Sequence, residues 1–216
     1  MNEDLLKLAA DTSADLADEA ALRRVYSTGP GETSLAKVVD HVHALYRPYI
    51  EQAPFAVLAT VGEMGLDTSP RGDGPGFVRV LDAHTLLLPD RRGNQRIDSL
   101  RNIARDPRVA LLFLIPGIGE TLRVNGTARI SALPALCEQL AVDGKSPASV
   151  LVIRVTSVFF QCARAIKRSE LWNAQAQVER GALPSPGSIL QALSGQKIDG
   201  CSYDAELQPR QAATLY

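Results

Sequence analysis

Between Phe55 and Phe160 the sequence repeats one pattern, a short apolar run followed by a tight turn rich in glycine or proline. Such runs are typical of β-strands, and tight turns join antiparallel neighbours. The predicted strands are 55–61, 66–69, 77–81, 85–88, 108–115, 120–131 and 149–160. A parallel sheet needs a long crossover between strands, but only two short helices interrupt this series. We therefore predict a mainly β protein with some α (α+β), a closed or split barrel of antiparallel strands with flanking short helices.

The 216-residue chain is long enough for one domain with appendages, and we predict three parts. Residues 1–32 form an N-terminal helical extension of two short helices. Residues 33–173 form the barrel domain, which begins with a helix over 33–46. Residues 174–216 lose hydrophobic patterning and form an extended C-terminal arm, which packs on the barrel or on a partner subunit.

Charge and composition exclude several classes of protein. A net charge of -1 argues against a general nucleic-acid binder. No apolar run reaches transmembrane length, and we expect no membrane partner. The three cysteines form no CxxC pair, which indicates neither a disulfide framework nor a zinc site and favours a cytoplasmic location. On the predicted helix over 33–46, His41 and His43 would point to different faces, so we expect no metal there.

Basic residues gather where a predicted strand ends. After the apolar run over 85–88, Pro89 and Gly93 are expected to break the strand, and Asn94 to cap a helix that stops before Pro107. The first turn of that helix would then be crowded by Arg91, Arg92 and Arg96. Helix N-termini attract anions and normally disfavour cations. The cluster is either a phosphate site or a solvated basic loop.

Two further stretches are candidates for ligand contact. Residues 69–76 are rich in glycine and proline, which predicts an irregular loop where backbone could approach a ligand beside Arg71. Trp172, near Lys167, either covers a flat aromatic ligand or seals the barrel bottom. The sequence contains no recognisable catalytic set, and Asp73 is more simply explained as a turn residue. No catalytic residue is assigned.

Five separated segments in the same order resemble the pyridoxamine 5'-phosphate oxidase-like, FMN-binding split β-barrel proteins, and in particular their bacterial FMN-dependent branch. These segments are Ser69–Asp73, Leu88–Asn94, Leu112–Gly117, Leu122–Gly126 and Arg168–Trp172. In the oxidases proper a Ser-Arg-Lys triplet holds the FMN phosphate, and here Asn94-Gln95-Arg96 occupies that place. The C-terminal Arg-rich signature that those enzymes use for pyridoxamine phosphate is absent from this sequence, so the resemblance supports FMN binding more than that oxidation.

The resemblance implies a homodimer with FMN at the subunit interface, and an FMN-dependent oxidoreductase that uses a small-molecule electron donor and acceptor. It implies cofactor contacts at Ser69, Arg71, Val78, Asp90, Arg91, Arg92, Asn94, Arg96, Thr121, Lys167 and Trp172. The alternative is a flavin- or haem-binding carrier or sensor on the same barrel, without turnover. The substrate is not assigned.

Overall fold

The computed structural model of the protein describes residues 2–216, and Met1, the first residue of the predicted N-terminal extension, lies outside the described residues. The chain divides into two compact units, one ending at Lys37 and the other running from Val38 to Tyr216. The three-part division with boundaries after 32 and 173 stays a prediction. No helix within residues 2–216 is long and apolar enough to cross a membrane.

The first unit is helical. It contains α1 (Asn2–Ala10), α2 (Glu19–Val25) and α3 (Glu32–Ala36), which confirms the two short helices predicted before residue 27. Helix α2 begins after Asp18, whose carboxylate accepts a hydrogen bond from the backbone N–H of Ala21 at 2.7 Å. A carboxylate at this position satisfies a helix N–H that has no partner within the helix.

The second unit is organised by one antiparallel sheet. Its strands are β1 (Phe55–Gly62), β2 (Gly65–Gly72), β3 (Arg79–Asp82), β4 (Thr85–Asp90), β5 (Arg108–Leu114), β6 (Thr121–Ser131) and β7 (Ser149–Gln161). The strand order is β2-β1-β5-β6-β7-β4-β3, and every neighbouring pair is antiparallel. The predicted α+β split barrel is confirmed. Strands β2 and β3 are the two edges of the sheet, and β2 forms no ladder with β3 or with the adjacent β4, so the barrel is open between β2 and the β3–β4 hairpin.

Short helices flank this sheet. They are α4 (Arg47–Glu51), α5 (Asp98–Arg105), α6 (Pro134–Glu138), α7 (Arg164–Arg168), α8 (Pro186–Leu193) and α9 (Gly200–Ala213), with 3₁₀ turns at Ala174–Ala176 and Arg180–Ala182. Helix α5 fastens to the sheet through Asn102, which is buried and whose Nδ2 donates to Thr60 Oγ1 at 3.0 Å. This contact fixes the helix that follows the arginine cluster.

The predicted helix over 33–46 is wrong beyond Ala36. Val39 instead pairs with Val158 of β7 through backbone hydrogen bonds of 3.1 and 2.7 Å. Val42 is buried, and its N–H donates to the carbonyl of Ala83 at 2.7 Å. The valines with helical spacing are β-branched and suit an extended backbone equally well, so tertiary pairing decided their conformation.

Residues 69–72, predicted to start an irregular loop, belong to β2 and pair with β1. A proline inside a strand is tolerated where the strand lies at a sheet edge and the missing N–H would face outward. Strand β2 is such an edge, and Pro70 lies opposite Val57. The glycines and proline of this stretch therefore did not prevent regular pairing.

The prediction of an extended arm after residue 173 is wrong from Pro186 onward, where α8 and α9 form. Pro186 occupies the first turn of α8, and Gly200 begins α9 directly after the capping carboxylate of Asp199. At these positions proline and glycine start a helix rather than interrupt one. The two helices pack closely, since a Cβ at Gly187 would lie 2.1 Å from the carbonyl oxygen of Gly200.

The two longest strands are locked by a bulge at Gly126. The β6–β7 register shifts between Asn125 and Gly126, which leaves Thr156 as the extra residue on β7, and its hydroxyl donates to the carbonyl of Asn125 at 3.1 Å. A Cβ at Gly126 would lie 2.2 Å from the backbone carbonyl oxygen of Arg154. No side chain fits there without displacing a strand.

We expect Gly126→Ala to lower the free energy of unfolding by about 2–3 kcal/mol, because the added methyl group collides with backbone that cannot rotate away. Urea denaturation would measure the loss. Gly181→Ala is the matched control, since a Cβ at Gly181 meets no atom within 4 Å and should change stability by less than about 0.5 kcal/mol. Equal losses in the two variants would contradict the role given to the bulge.

Candidate functional site

A cleft of about 1220 Å³ lies at the opening between β2 and β4. It is lined by residues 67–72 of β2, residues 89–100 at the end of β4 and the start of α5, the turn at 145–148, Phe77 and Tyr216. Five lining side chains are cationic (Arg71, Arg91, Arg92, Arg96 and Lys145) and three are anionic (Asp67, Asp90 and Asp98). The lining therefore carries an excess of positive charge, which suits an anionic ligand.

The strand end predicted to carry arginines does so. Strand β4 runs to Asp90, with Arg91 and Arg92 next in the chain. Pro89 does not break the strand, because it lies opposite Val150 within the β4–β7 ladder. The arginines therefore start their loop from a fixed strand end two residues later than predicted.

The helix after these arginines begins later than predicted. Its first residue is Asp98, and its N-cap is Ile97 in a left-handed conformation with φ of 51°. Asn94 is therefore not the N-cap, and its Oδ1 instead accepts a hydrogen bond from Arg96 N at 3.1 Å. Gln95 is also left-handed, with φ of 60°. Two left-handed residues cannot continue an α-helix, so the segment before Asp98 is a loop.

Arg71 and Asp90 form the first of two ion pairs across the opening. Arg71 lies on β2 and Asp90 ends β4, and Arg71 Nη1 donates to Asp90 Oδ1 at 2.8 Å. The Nε of Arg71 is also buried but has no hydrogen-bond partner among the described residues. A buried guanidinium N–H without a partner costs free energy, so this atom has unused capacity for an acceptor.

Arg91 and Asp73 form the second ion pair. Here the cation follows β4 and the anion follows β2, the reverse of the first pair. Arg91 Nε donates to Asp73 Oδ2 at 2.7 Å, and Arg91 Nη1 donates to the carbonyl of Leu140 at 2.7 Å. The Asp73 side chain is only 6% exposed and that of Arg91 16%. Arg91, predicted to hold a phosphate, is thus already committed to a buried carboxylate.

Tyr216 completes the environment of Asp73. Its hydroxyl donates to Asp73 Oδ1 at 2.6 Å, and its ring centroid lies 5.8 Å from the guanidinium carbon of Arg91. Burial is the largest influence on Asp73 and opposes ionisation, but hydrogen bonds from Tyr216, Gly74 N–H and Arg91 outweigh it and lower its pKa. The same hydrogen bond to Asp73 raises the pKa of Tyr216.

The other cations of the cleft are exposed. Arg96 Nε donates to Asp98 Oδ2 at 2.8 Å, and its side chain is 75% exposed. Within residues 2–216, neither Arg92 nor Lys145 forms an ion pair. Lys145 follows a tight turn at Asp143–Gly144, both left-handed, which is closed by two backbone hydrogen bonds with Val142.

The remaining sequence candidates divide into two groups. Ser69 lines the cleft, whereas Val78 is fully buried in the core. Thr121, Lys167 and Trp172 lie outside the cleft lining. Trp172 instead donates from Nε1 to the carbonyl of Ile118 at 2.7 Å.

Thr121 and Asp90 pair with opposite ends of β7. Thr121 pairs with Gln161 at the end of β7, while the beginning of β7, Ser149, pairs with Asp90 beside the cleft. Across the sheet, however, Leu122 beside Thr121 aligns through Phe113 and Ala56 with Arg71. Three strand spacings put this part of β6 about 14 Å from the β2 wall of the cleft.

Sequence reasoning missed three residues of this site. Asp73 was read as a turn residue, although it is the buried partner of Arg91. No sequence signal connects Tyr216 with Asp73, since 143 positions separate them. Lys145 could have been found, because Asp143-Gly144 is a typical hairpin turn that presents the next residue.

The histidines do not form a metal site. His41 and His43 lie in the non-helical segment after Ala36, with ring centroids 6.1 Å apart, so their predicted helical placement is wrong. His84, in the turn between β3 and β4, is exposed. Across the described part of the chain, no group of three or more histidine, cysteine or acidic side chains could hold a metal ion.

Residues 42–162, more than half of the chain, match the family model for pyridoxamine 5'-phosphate oxidase. A comparison with curated proteins finds no match. Similar solved structures include a variant of HupZ from Group A Streptococcus, with 21% identity, coverage of 56% of this chain and 99% of that chain, and a TM-score of 0.46. A Clostridium acetobutylicum protein related to general stress protein 26 has 15% identity, 54% and 84% coverage, and a TM-score of 0.41. General stress protein 26 of Bacillus anthracis has 17% identity, coverage of 52% of this chain and 87% of that chain, and a TM-score of 0.39.

We expect Arg91→Ala to lower the free energy of unfolding by about 3 kcal/mol, because it leaves the buried Asp73 carboxylate without its cation. Arg92→Ala is the matched control, since the adjacent arginine is exposed and forms no ion pair among the described residues; its effect should stay below about 0.5 kcal/mol. Urea denaturation of both variants would measure the difference, and similar values would contradict the assignment.

We also expect the stabilisation from Asp73 to depend on pH. Its pKa in the folded protein is lower than the ordinary value of 3.8, so the stabilisation is fully present above that value and is lost as pH falls through the folded pKa. The stability difference between wild type and Asp73→Asn should therefore shrink as pH falls from about 6 to about 3. A difference that does not change with pH would contradict this.

Proposed function

The chain belongs to the pyridoxamine 5'-phosphate oxidase family, and from this premise we propose that it binds FMN in the cleft and acts as an FMN-dependent oxidoreductase. The observation that carries the proposal is the set of cationic donors in the cleft without an intramolecular partner in the described chain: the Arg71 Nε–H, Arg92 and Lys145. A phosphate monoester supplies the charge and the acceptor oxygens that such donors need.

The start of α5 supports a phosphate at the same place. Residues 98–100, the first turn of this helix, line the cleft. The first turn of a helix carries backbone N–H groups without intrahelical acceptors and the positive end of the helix dipole. We propose that Arg92, Asn94 and Arg96 hold the phosphate there, with Arg96 exchanging part of its contact with Asp98 for the ligand.

The β2 side of the cleft would meet the rest of the cofactor. Ser69 and Arg71 line that wall, and the ion pair with Asp90 fixes the orientation of the Arg71 guanidinium. Arg91 would act indirectly, because its ion pair with Asp73 and its hydrogen bond to the Leu140 carbonyl hold the side chain in place.

The cleft also has room for a second molecule. Its volume of about 1220 Å³ exceeds the range of about 300–1,000 Å³ usual for a site that encloses one ligand. FMN, when bound, supplies the hydride or electron transfer between a small-molecule donor and an acceptor. The chain would bind and orient both molecules, while Asp73 and Asp90, each paired with an arginine, are not proposed as general bases.

A homodimer would bring the second group of candidate residues to the cofactor. Thr121, Lys167 and Trp172 lie outside the cleft lining of their own chain. We propose that these residues reach the FMN ring from the partner subunit, so the complete site needs two chains. Val78 would support the barrel from its core rather than contact the cofactor. The cytoplasmic location stays a prediction.

The alternative is a flavin- or haem-binding carrier or sensor without turnover. It is favoured by the ion pairs of Asp73 and Asp90 with arginines, which leave neither of these two carboxylates available for proton transfer. Steady-state oxidation of NADH or NADPH with oxygen or a quinone would identify an enzyme. Bound flavin without turnover under these conditions would favour the carrier.

We expect the purified protein to be yellow and to release FMN on denaturation. Arg96→Ala should weaken FMN binding by about tenfold to a hundredfold, the effect of one charge-assisted hydrogen bond. Arg105→Ala, at the far end of α5, is the matched control, since Arg105 is similarly exposed (64%) and forms an ion pair of the same length, 2.8 Å, but lies outside the cleft. Fluorescence titration would measure both affinities. A colourless protein that binds no flavin at micromolar concentration would contradict the proposal.

A further inference from the structure

One residue connects the helical pair α8–α9 with the cleft. Of the described residues after position 148, Tyr216 alone lines the cavity. Helix α9 packs mainly on α8, and it ends at Ala213. The segment 214–216, which we term the strap, therefore crosses from the helical pair to the cleft wall.

The strap is attached by side-chain chemistry rather than by apolar burial. Leu215 is 64% exposed, and the Thr214 hydroxyl donates back to the carbonyl of Arg210 at 2.7 Å. Tyr216, by contrast, donates to the nearly buried carboxylate of Asp73 at 2.6 Å. One hydrogen bond and one ring contact with Arg91 thus hold this segment on the cleft.

The position of Tyr216 couples the strap to the wall of the cleft that carries the arginine loop. Asp73 uses one carboxylate oxygen for Tyr216 and the other for Arg91. Arg91 in turn lies beside the ring of Tyr216 and is followed directly by the exposed Arg92 of the proposed phosphate site. Movement of Tyr216 would therefore alter the surroundings of the arginine loop as well as open one side of the cleft.

We propose that the strap closes the cleft over its ligand and that the Tyr216 hydroxyl is the latch, with Asp73 as the fixed acceptor. The aromatic ring then forms one wall of the site and offers an apolar face to a planar ligand. This inference rests on the proposed function for the identity of the ligand, FMN. The closure itself is a property of the chain without a ligand.

Tyr216→Phe removes the hydroxyl and keeps the ring, so it tests the latch without opening a cavity. Limited trypsin digestion without ligand should cleave this variant about tenfold faster than wild type after Arg210 and after Arg91, because a hydrogen bond to a charged group no longer holds the closed form. Leu215→Ala, which changes an exposed strap residue outside the cleft lining, should be cleaved at the wild-type rate. Unchanged cleavage of Tyr216→Phe would overturn the latch.

The second measurement is the rate at which bound FMN dissociates from the full chain, followed by the recovery of flavin fluorescence. Tyr216→Phe should release FMN several-fold faster than wild type and Leu215→Ala. Faster proteolysis with unchanged FMN release would overturn the closure of the cleft by the strap. If wild type binds no FMN, the proposed function fails, and the proteolysis result alone decides whether the latch exists.

Discussion

Two ion pairs of opposite direction cross the opening of the barrel, and the geometry of the cleft depends on them. Strands β2 and β4 share no backbone ladder, yet Arg71 on β2 pairs with Asp90 on β4, while Asp73 just after β2 pairs with Arg91 just after β4. Each side therefore contributes one cation and one anion. Because these pairs are largely buried, their geometry matters more than that of exposed pairs. They fix the distance between the two sides of the cleft and leave Arg92 and Arg96 exposed to a ligand.

This arrangement separates structural from ligand-binding arginines within one short stretch. Arg91 and Arg92 are adjacent, but the first is held by a buried carboxylate and a carbonyl, whereas the second is exposed. A cluster that looks uniform in the sequence thus contains residues with different roles. The phosphate site that we propose uses the exposed members, and the buried members determine where the loop begins.

The sequence was sufficient to predict the seven strands and the turns that join them. Alternation and apolar runs over 108–115, 120–131 and 149–160 follow directly from one-sided or complete burial. Sequence reasoning failed where the decisive partner is distant in the chain. The valines near position 39 pair with Val158, and no local spacing reveals this. The start of α5 also could not be placed, since left-handed Gln95 and Ile97 carry no sequence signature. Tyr216 is the extreme case, because its partner is fixed only by the completed barrel.

The placement of Pro70 has a consequence for how copies of this chain can associate. An edge strand normally offers a row of free N–H and C=O groups to any other extended chain. In β2 the N–H that Pro70 lacks is one that would point away from β1. A continuous intermolecular sheet through this edge is therefore blocked, which protects the folded protein against edge-to-edge aggregation and leaves association to side-chain surfaces.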